Sequence, residues 1–563
     1  MKSKIKLLNC ISIIVINCYI QFATAQTQPF SIEWQKEYGG SAVEYNDYMG
    51  NTIAATQDGG YVFTAMTYSN DGDVSGYHGG NGTDMWVAKI DATGNLQWQK
   101  CLGGSADDFG KNIIATADGG VLVGGYTESN DGDISGNHGN GDIDIFKLDG
   151  AGNIEWEKTL GSSSYDDLGT FIQDQYGNYV IAGTVGANDG DVSGGHGGAD
   201  AWVVKLDQNG NIIWQKCYGG SSGENDYHLT SIIQSLEGGY MLSTYTESDD
   251  GEVTGYHGTV NDGYGDAWLV KLDIDGNIQW EKAFGGPGYD GFENIMQLSS
   301  GDYIGAGLTT MAGGDIPHVY GFDGITDTYD WWIAKISTAG NLIWSRTYGG
   351  TGDEAIHNAA FEQANGDLII TSGTRSVDYD CIGSTIDSIN PTDLWMVKMD
   401  SDGNISGSNF FGGIGYQNLS AAVMNRNGSL TIAGMTDSTN YTGEGFNQDN
   451  DSNAQVWVVK LSPVSVTSVV ANASPLSLTI YPNPFSQSTI ISFSLLQSQN
   501  VSLKIYDVTG RLVTTLANEI MTAGTHQLPW DATDESGNAL SAGIYLFRVK
   551  TADQAKTIRV SVI

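Results

Sequence analysis

The feature that most constrains the fold is a sequence pattern that recurs seven times between residues 31 and 461. One anchor is Trp-x-Lys or Trp-x-Arg, followed two residues later by Gly-Gly or Gly-Ser. Six copies begin at Trp34, Trp98, Trp156, Trp214, Trp280 and Trp344, and a degenerate seventh has Gly407 at the tryptophan position. The second anchor is an apolar run with a lysine near its end, at positions 89, 147, 205, 271, 335, 398 and 460. Spacings of 58 to 66 residues between these lysines indicate repeats of one supersecondary unit.

Each repeat has the pattern of four short strands. Two apolar runs meet at a glycine turn, such as Asp58-Gly59-Gly60 or Asp118-Gly119-Gly120, which is typical of a β-hairpin. The two anchors supply the other two strands. A further turn, Asp91-Ala92-Thr93-Gly94-Asn95 in the first repeat, is predicted to link one unit to the next.

A four-stranded sheet with apolar residues on both faces cannot bury them alone. Seven such sheets bury every face if they close into a ring. We therefore predict an all-β chain with a seven-bladed β-propeller, four antiparallel strands per blade, over residues 31–461. A stacked open solenoid is the alternative, but its apolar end faces would need caps. The 77 glycines and the charged fraction of 16% argue against long helices or a coiled coil.

Residues 1–25 have the pattern of a signal peptide. Lys2, Lys4 and Lys6 precede a mostly apolar run over residues 7–20, and Ala23-Thr24-Ala25 provides a small-residue cleavage pattern. The run is short for a membrane span, and no later stretch approaches about 20 consecutive apolar residues. We therefore expect export and no transmembrane span in the mature protein. The remaining Cys101, Cys217 and Cys381 are odd in number, which argues against a disulfide framework.

The charge of the chain excludes some partners. The formal net charge is -41, and removal of residues 1–25 leaves 22 basic residues against 66 acidic ones. The excess lies upstream of Ser474, because the region after it holds six acids and six bases. A nucleic acid is excluded as a partner, since its phosphates would be repelled and no basic stripe is present. Cations and cationic surfaces are compatible with this charge.

Four repeats share an acidic loop before the second anchor. Its pattern is Asn-Asp-Gly-Asp, or Asp-Asp-Gly-Glu in the fourth repeat, which gathers oxygen ligands around a glycine bend and suits a hard cation such as calcium. The candidate calcium ligands are Asn70, Asp71, Asp73, Asn130, Asp131, Asp133, Asn188, Asp189, Asp191, Asp250 and Glu252. The alternative is that these side chains cap their own turns, since no bidentate glutamate follows at EF-hand spacing.

Two other residue types recur with the repeat. Histidines follow the acidic loops, and an aspartate precedes most second-anchor strands: His78, His138, His196 and His257, and Asp84, Asp142, Asp200, Asp266, Asp330 and Asp393. Because each copy lies on a different blade, we expect loop packing by the histidines instead of a shared zinc ion. The aspartates are expected to make turn or strand-start hydrogen bonds.

A catalytic constellation normally breaks repeat symmetry. The acidic loops, histidines and aspartates above all recur with the repeat, so the sequence assigns no catalytic residue. The acidic loops and the loops that follow the first anchors are predicted to share one face of the ring. On that face the last three repeats diverge, at residues 313–318, 378–381 and 440–441. These loops either form a special pocket or reflect drift in tolerant segments.

Composition changes near the C-terminus. Residues 462–477 are rich in Ser, Val and Ala and are predicted to be a linker. Strand patterns within residues 478–563 then predict a small β-sandwich. It carries three motifs: Tyr481-Pro482-Asn483-Pro484-Phe485, Ile505-Tyr506-Asp507-Val508-Thr509-Gly510-Arg511 and Gly543-Ile544-Tyr545-Leu546-Phe547-Arg548.

In this order these motifs resemble the type A C-terminal sorting domain of the type IX secretion system. The resemblance covers residues 478–563 and identifies as sorting-motif residues Tyr481, Pro482, Asn483, Pro484, Gly510, Arg511, Gly543, Tyr545 and Arg548. It implies passage through the Sec machinery and then the type IX machinery, removal of the domain, and attachment to surface polysaccharide or release. A fibronectin-like adhesion module is the alternative.

The repeats resemble the short β-propeller repeats of secreted bacterial proteins, on Gly103-Gly104-Ser105-Ala106-Asp107-Asp108 and the turn at residues 118–120. The pattern Asp91-x-Thr93-Gly94-x-x-x-Trp98 is also similar to the tryptophan-docking motif of quinoprotein propellers, whose tryptophan packs between blades. Those enzymes have eight blades and adjacent cysteines, which are missing here. Neither resemblance fixes an activity.

We expect an exported cell-surface or secreted protein that acts as a binding or adhesion module, with surface polysaccharide or another glycan as its candidate ligand. Two alternatives stay open. One is an extracellular polysaccharide hydrolase or lyase with its site on the face that carries the acidic loops and the other long loops. The other is a non-catalytic accessory scaffold beside another exported protein.

Overall fold

The computed structural model describes residues 30–45, 50–80, 82–224, 230–258, 264–321, 328–354, 359–382, 384, 393–411, 417–425, 427–436, 454–463, 478–481, 483, 485, 488–495, 499–507, 511–522, 524–551 and 555–562. The predicted signal peptide, most of the predicted linker and the divergent loop at 440–441 lie outside these residues. The chain divides into two compact units, residues 1–464 and 465–563, called the propeller unit and the sandwich unit below.

In the described residues, the propeller unit contains seven antiparallel sheets, numbered as blades one to seven in chain order. The first strand, β1 (Phe30–Tyr38), belongs to blade seven. Blade one contains β2 (Glu44–Tyr45), β3 (Ile53–Ala55), β4 (Tyr61–Thr67), β5 (Asp84–Ile90) and β6 (Leu96–Leu102). Blade two contains β7 (Asp108–Ala115), β8 (Val121–Thr127), β9 (Asp142–Leu148) and β10 (Ile154–Leu160). Blade three contains β11 (Asp166–Gln173), β12 (Tyr179–Val185), β13 (Asp200–Leu206) and β14 (Ile212–Tyr218).

The other blades follow the same order. Blade four contains β15 (Ser231–Gln234), β16 (Tyr240–Thr246), β17 (Asp266–Leu272) and β18 (Ile278–Phe284). Blade five contains β19 (Asp290–Gln297), β20 (Tyr303–Thr309), β21 (Asp330–Ile336) and β22 (Leu342–Tyr348). Blade six contains β23 (Ala359–Glu362), β24 (Leu368–Thr374), a short 3-10 helix (Tyr379–Cys381), β25 (Asp393–Met399) and β26 (Ile405–Phe411). Blade seven contains β27 (Gln417–Met424), β28 (Leu430–Thr436) and β29 (Gln455–Pro463), with β1 as its outermost strand.

The ring closes through the two ends of the propeller unit. Strand β1 pairs antiparallel with β29, in register from Phe30 opposite Pro463 to Tyr38 opposite Val456. The innermost strand of each blade contacts the next, and β27 of blade seven contacts β3 of blade one. The predicted seven-bladed β-propeller is therefore confirmed.

One predicted connection is wrong. The turn Asp91-Ala92-Thr93-Gly94-Asn95 joins β5 to β6 within blade one, because Lys89 of the second anchor pairs with Trp98 of the first anchor. The link between blades is instead the loop at residues 103–107. The sequence repeat is thus offset by one strand from the blade. Because of this offset, β1, the strand that contains Trp34, pairs within blade seven and closes the ring.

The repeated tryptophans hold neighbouring blades together. In Trp98 the indole Nε1 donates a hydrogen bond to Gly150 O, 3.2 Å away in a turn of blade two. The same contact recurs for Trp34 to Ala92, Trp156 to Gln208, Trp280 to Thr338 and Trp344 to Ser401. A β-carbon on Gly152, whose φ is +83°, would lie 2.9 Å from the Trp98 ring. Glycine is therefore required where the indole packs on the turn.

The apolar core lies between blades. Leu122, Ile143 and Ile145 of blade two pack with Phe171 and Tyr179 of blade three. The third strands contribute fully buried indoles: Trp86, Trp202, Trp268, Trp332 and Trp395. Each sheet thus buries both faces against its neighbours, as the ring requires.

The sandwich unit is a small β-sandwich, as predicted. One sheet contains β30 (Leu478–Tyr481), β31 (Thr489–Leu495) and β34 (Gly524–Trp530). The other contains β32 (Gln499–Asp507), β33 (Leu512–Met521), β35 (Gly543–Lys550) and β36 (Ala555–Val562). Phe485, Phe493, Leu503, Trp530 and Phe547 lie in its core. Over the described residues, neither unit has a helix of the length and apolar character needed to cross a membrane.

Candidate binding face

Two sets of loops meet at one end of the propeller unit, as predicted. They are the loops between blades, such as residues 103–107, and the loops before third strands, such as residues 128–141. Hydrogen bonds join the two sets: Asp133 N donates to Gly103 O at 2.9 Å, and Ser105 N donates to Asp131 Oδ1 at 2.8 Å. This end is called the long-loop face.

The first two residues of the acidic loop cap backbone groups. Asp71 and Asp131 accept hydrogen bonds from Ser41 N and Ser105 N at 2.7 and 2.8 Å. The equivalent acceptors are Asp189 for Ser163 N and Asp250 for Ser221 N. The amide oxygens of Asn70, Asn130 and Asn188 accept from Gly76, Gly136 and Gly195 N. These side chains therefore stabilise the loops themselves.

The last acid of each loop lies at the junction with the preceding blade. The backbone amides of Asp73, Asp133, Asp191 and Glu252 each donate to the first glycine of an interblade loop. Asp133 Oδ2 is 3.5 Å from His78 Nε2 of blade one, and Asp191 Oδ2 is 3.8 Å from His138 Nε2 of blade two. Across the described residues, no group of three or more His, Cys, Asp or Glu side chains is arranged to hold a metal ion. Calcium binding by these loops stays a prediction.

The recurring histidines bind the aspartates that begin the third strands. His78 Nδ1 lies 2.7 Å from Asp84 Oδ2, and His78 N donates to the same oxygen at 3.0 Å. The pairs His138–Asp142, His196–Asp200 and His257–Asp266 repeat this arrangement. Each pair stands at a separate junction, so the histidines do not converge on a shared ion.

A second carboxyl is buried at each of six junctions in the described residues. These inner acids follow the interblade loops: Glu44, Asp108, Asp166, Glu224, Asp290 and Glu354. In Asp108, Oδ2 accepts from Gly104 N at 2.7 Å and Oδ1 accepts from the Thr127 hydroxyl at 2.5 Å. Acidic residues in loops are expected to be exposed to solvent. The structure buries them, because they tie the loop to the second strand.

Burial raises the pKa values of the inner acids. The pKa of Asp108 and of Asp166 rises to about 6, and the pKa of Glu224 and of Asp290 rises to about 7. Desolvation is the main cause in each case, and hydrogen bonds to the carboxylates oppose it. Glu224 and Asp290 therefore titrate near neutral pH, and Asp108 and Asp166 titrate about one pH unit lower.

Carboxyls from two blades approach each other at the junction of blades four and five. A β-carbon on Gly285 would lie 2.6 Å from Asp266 Oδ1 and 3.0 Å from Asp290 Oδ2. The hydrogen bond to Asp266 raises the pKa of His257, and the negative charges of Asp315 and Asp290 add to this rise. The pKa values of His257, Asp266 and Asp290 are all raised, so this cluster takes up protons more readily than free side chains do, which reduces the repulsion between its buried carboxylates.

Blades five and six break the symmetry of the long-loop face. In five blades the third residue of the acidic loop is a glycine with positive φ: Gly72, Gly132, Gly190, Gly251 and Gly314, at +54° to +68°. In blade six this position is Tyr379, with φ of +48°. Its neighbours keep the usual contacts, since Thr351 N donates to Asp378 Oδ1 at 2.8 Å and Asp380 N donates to Gly349 O at 3.1 Å. Tyr379 therefore occupies a backbone position that favours glycine.

The histidine position also changes in blade five, where Tyr320 replaces it. Tyr320 N donates to Asp330, and its hydroxyl hydrogen-bonds Asp380 of blade six. The Tyr320 ring lies 5.0 Å from the Tyr379 ring and 4.7 Å from the His318 ring. The sequence pointed to residues 313–318 and 378–381 but missed Tyr320, which alignment of the histidine positions would have revealed.

A groove of about 650 Å³ adjoins this aromatic cluster. It is lined by His318, Tyr320, Trp344, Arg346, Asp380 and Asn404, among others. Tyr379, which is 59% exposed, does not line the groove itself, but its ring contacts the ring of Tyr320, which does. Aromatic rings, a guanidinium and a carboxyl thus reach solvent together between blades five and six.

The predicted sorting-motif residues contribute to the sandwich unit itself. Asn483 Oδ1 accepts from Ser561 N at 2.9 Å, which ties the first motif to the last strand. Arg511 Nε donates to Asp507 Oδ2 at 3.0 Å, and the Tyr545 hydroxyl donates to Ser541 O at 2.9 Å. Tyr481 ends β30, Gly543 begins β35, and Arg548 is exposed on β35. Pro482, Pro484 and Gly510 lie outside the described residues.

Comparisons with known proteins give a family for part of the sandwich unit and distant likenesses for the fold. The FlgD Ig-like domain matches residues 483–555. No curated protein is similar enough in sequence to match the chain. A puromycin hydrolase structure is 9% identical to this chain, with a TM-score of 0.41. The match covers 82% of this chain, and this chain spans 61% of the length of the hydrolase.

Two further structures have likenesses of the same distant kind. PorZ, a surface component of the type IX secretion system of Porphyromonas gingivalis, shares 14% identity and a TM-score of 0.20, covering 93% and 85% of the two chains. A polysaccharide lyase of family PL25, an ulvan lyase, shares 10% identity and a TM-score of 0.42, covering 71% and 93%. At TM-scores below 0.5 these likenesses carry no argument about function.

The buried carboxyls predict that the propeller unit loses stability as pH rises. Folded-state pKa values of about 6 to 7 at Asp108, Asp166, Glu224 and Asp290 exceed the ordinary values of 3.8 and 4.5. Their stabilisation is thus complete below about pH 4 and is lost as pH rises through 6 to 7. We expect the thermal unfolding midpoint to fall by roughly 5 °C between pH 5 and pH 8.

Asp290→Asn should flatten this pH dependence, because it removes one titrating group and keeps an oxygen acceptor for Gly286 N. The control is Asp91→Asn, since Asp91 lies in a turn outside the junctions and its pKa is lowered by hydrogen bonds from Asn95 and Thr93. It should leave the slope between pH 5 and pH 8 unchanged. Stability that increases with pH over this range would contradict the role given to the buried acids.

Proposed function

We propose that the chain is an exported binding protein, delivered to the cell surface or the medium by type IX secretion, whose propeller unit recognises a ligand on the long-loop face. The observation that carries the binding role is the break in symmetry at blades five and six. There, Tyr379 and Tyr320 stand at positions that are glycine and histidine in other blades. They adjoin a groove that is also lined by Arg346 and Asp380. Binding sites commonly combine apolar rings with a few placed polar groups on a rigid scaffold.

The sandwich unit supports the export route. Its match to an Ig-like domain and its three motifs describe a compact module at the C-terminal end of this sequence. Phe485 of the first motif packs against Trp530, and Trp530 packs against Tyr545 of the third motif. The motifs therefore belong to one folded module, which is the form in which a secretion machinery could recognise a signal.

Removal of residues 478–563 is expected to abolish delivery of the propeller unit, because the recognised module is lost. The measurement is an immunoblot of surface, medium and periplasmic fractions from a bacterium that has type IX secretion. The truncated chain should accumulate in the periplasm, and the full chain should do the same in a strain without the outer-membrane translocon. Equal surface levels of both chains in the competent strain would disprove the route.

The titratable carboxyls and histidines of the propeller unit have structural partners, which favours binding over turnover. The carboxyls with pKa values near neutrality, such as Asp290 and Glu224, are buried at junctions and bonded to loop amides. The recurring histidines bind strand-start aspartates. These groups stabilise the propeller unit, and the divergent loops add recognition residues to it.

The mature chain should bind a saccharide without cleaving it. Soluble β-glucan, xylan, pectin, alginate and hyaluronan can be tested by affinity electrophoresis, together with an oligosaccharide array. We expect saturable retention by at least one of them, and reducing ends or unsaturated products no higher than in buffer. Release of products that depends on the protein would replace the binding role with a hydrolase or lyase.

A further inference from the structure

We propose that the groove between blades five and six is a saccharide-binding site and that Tyr379 is its principal contact. This inference deepens the proposed function and rests on it, because it assigns the site and the ligand class. It starts from the backbone of Tyr379.

A tyrosine in the left-handed region is an energetic cost to the folded chain. Its β-carbon crowds the neighbouring carbonyl oxygen, which is why single residues in this region are usually glycine. The equivalent residue is Gly72, Gly132, Gly190, Gly251 or Gly314 in other blades, with nearly the same φ. The loop therefore keeps a shape that glycine would adopt without strain. Strained residues of this kind concentrate at functional sites.

Burial of the Tyr379 side chain does not offset this energetic cost. The Tyr379 side chain is 59% exposed, and its described ring contact is with Tyr320 at 5.0 Å. Tyr320 is half-buried and is held by its bonds to Asp330 and Asp380. The pair thus forms a supported aromatic surface, with its outer ring open to a ligand.

The groove beside this surface suits a saccharide. Sugar rings have apolar C–H faces, which pack on aromatic rings, and hydroxyl edges, which both donate and accept hydrogen bonds. His318, Tyr320 and Trp344 supply rings along the groove, while Arg346 and Asp380 supply a donor and an acceptor. Ser345 and Asn404 add neutral polar groups. This mixture matches a ligand with many hydroxyls better than it matches an apolar peptide side chain.

The test compares two substitutions at Tyr379 in the mature full chain. Tyr379→Gly should weaken binding of the retained polysaccharide by about tenfold or more, because it removes the exposed ring. The same variant should keep or raise the thermal unfolding midpoint, because it also removes the strain. Tyr379→Phe keeps the ring and the strain, and it should retain affinity within about threefold. A merely structural role would instead make Tyr379→Gly neutral in binding.

Tyr176→Ala is the matched control, since Tyr176 is 62% exposed but lies in a glycine turn of blade three. It should leave polysaccharide affinity unchanged.

If Tyr379→Gly binds the polysaccharide as tightly as the wild type does, the groove is not the site, although the proposed binding function stands. If the wild type binds no saccharide and no peptide on any of these probes, the proposed function and this inference both fail. If a peptide array, and no saccharide, gives binding that Tyr379→Gly abolishes, the site stands and the ligand class is wrong.

Discussion

Each sheet of the propeller unit buries apolar residues on both faces, so each one needs a neighbour on either side. Only closure of the ring supplies that neighbour to the first and the last blade. Closure depends on β1, which leaves the chain's first repeat and pairs with β29 some 420 residues later in the sequence. The offset of one strand between repeat and blade is what makes this pairing possible. Without it, blade seven would lack its outer strand and would meet blade one only by packing.

The same junctions that carry the apolar core also carry buried charge. Interblade loops are held by inner acids that accept backbone and hydroxyl hydrogen bonds, and the neighbouring third strands start with a second buried acid. Burial of such groups costs free energy unless they are paired or protonated. Hydrogen bonds from loop amides and hydroxyls are the main compensation at Asp108 and Asp166, whose pKa values rise to about 6. At Glu224 and Asp290, whose pKa values rise to about 7, partial protonation at neutral pH adds to such bonds. The acids thus specify how one blade meets the next, and make stability depend on pH.

Much of this architecture could be predicted from the sequence, because a repeat imposes the same solution on each unit. The spacing of tryptophans and lysines predicted seven blades, and the glycine turns predicted the hairpins. The strand offset could not be predicted, since a cyclic repeat looks the same wherever its first strand is placed. The burial of Asp108 and its equivalents could not be predicted either, because a carboxylate in a loop is expected to be exposed. Tyr379 stood in a noted divergent loop, but its left-handed backbone needs coordinates to be seen. The sandwich unit followed from its strand pattern.

The central claim is that β1 closes the ring in solution, and hydrogen–deuterium exchange of the mature chain tests it most directly. The amides at residues 31–38 that face β29 should exchange as slowly as those of β29 itself, because the two strands share one ladder in a single cooperative unit. Exchange of the β1 amides within seconds, while the other blades stay protected, would show an open ring and contradict the account.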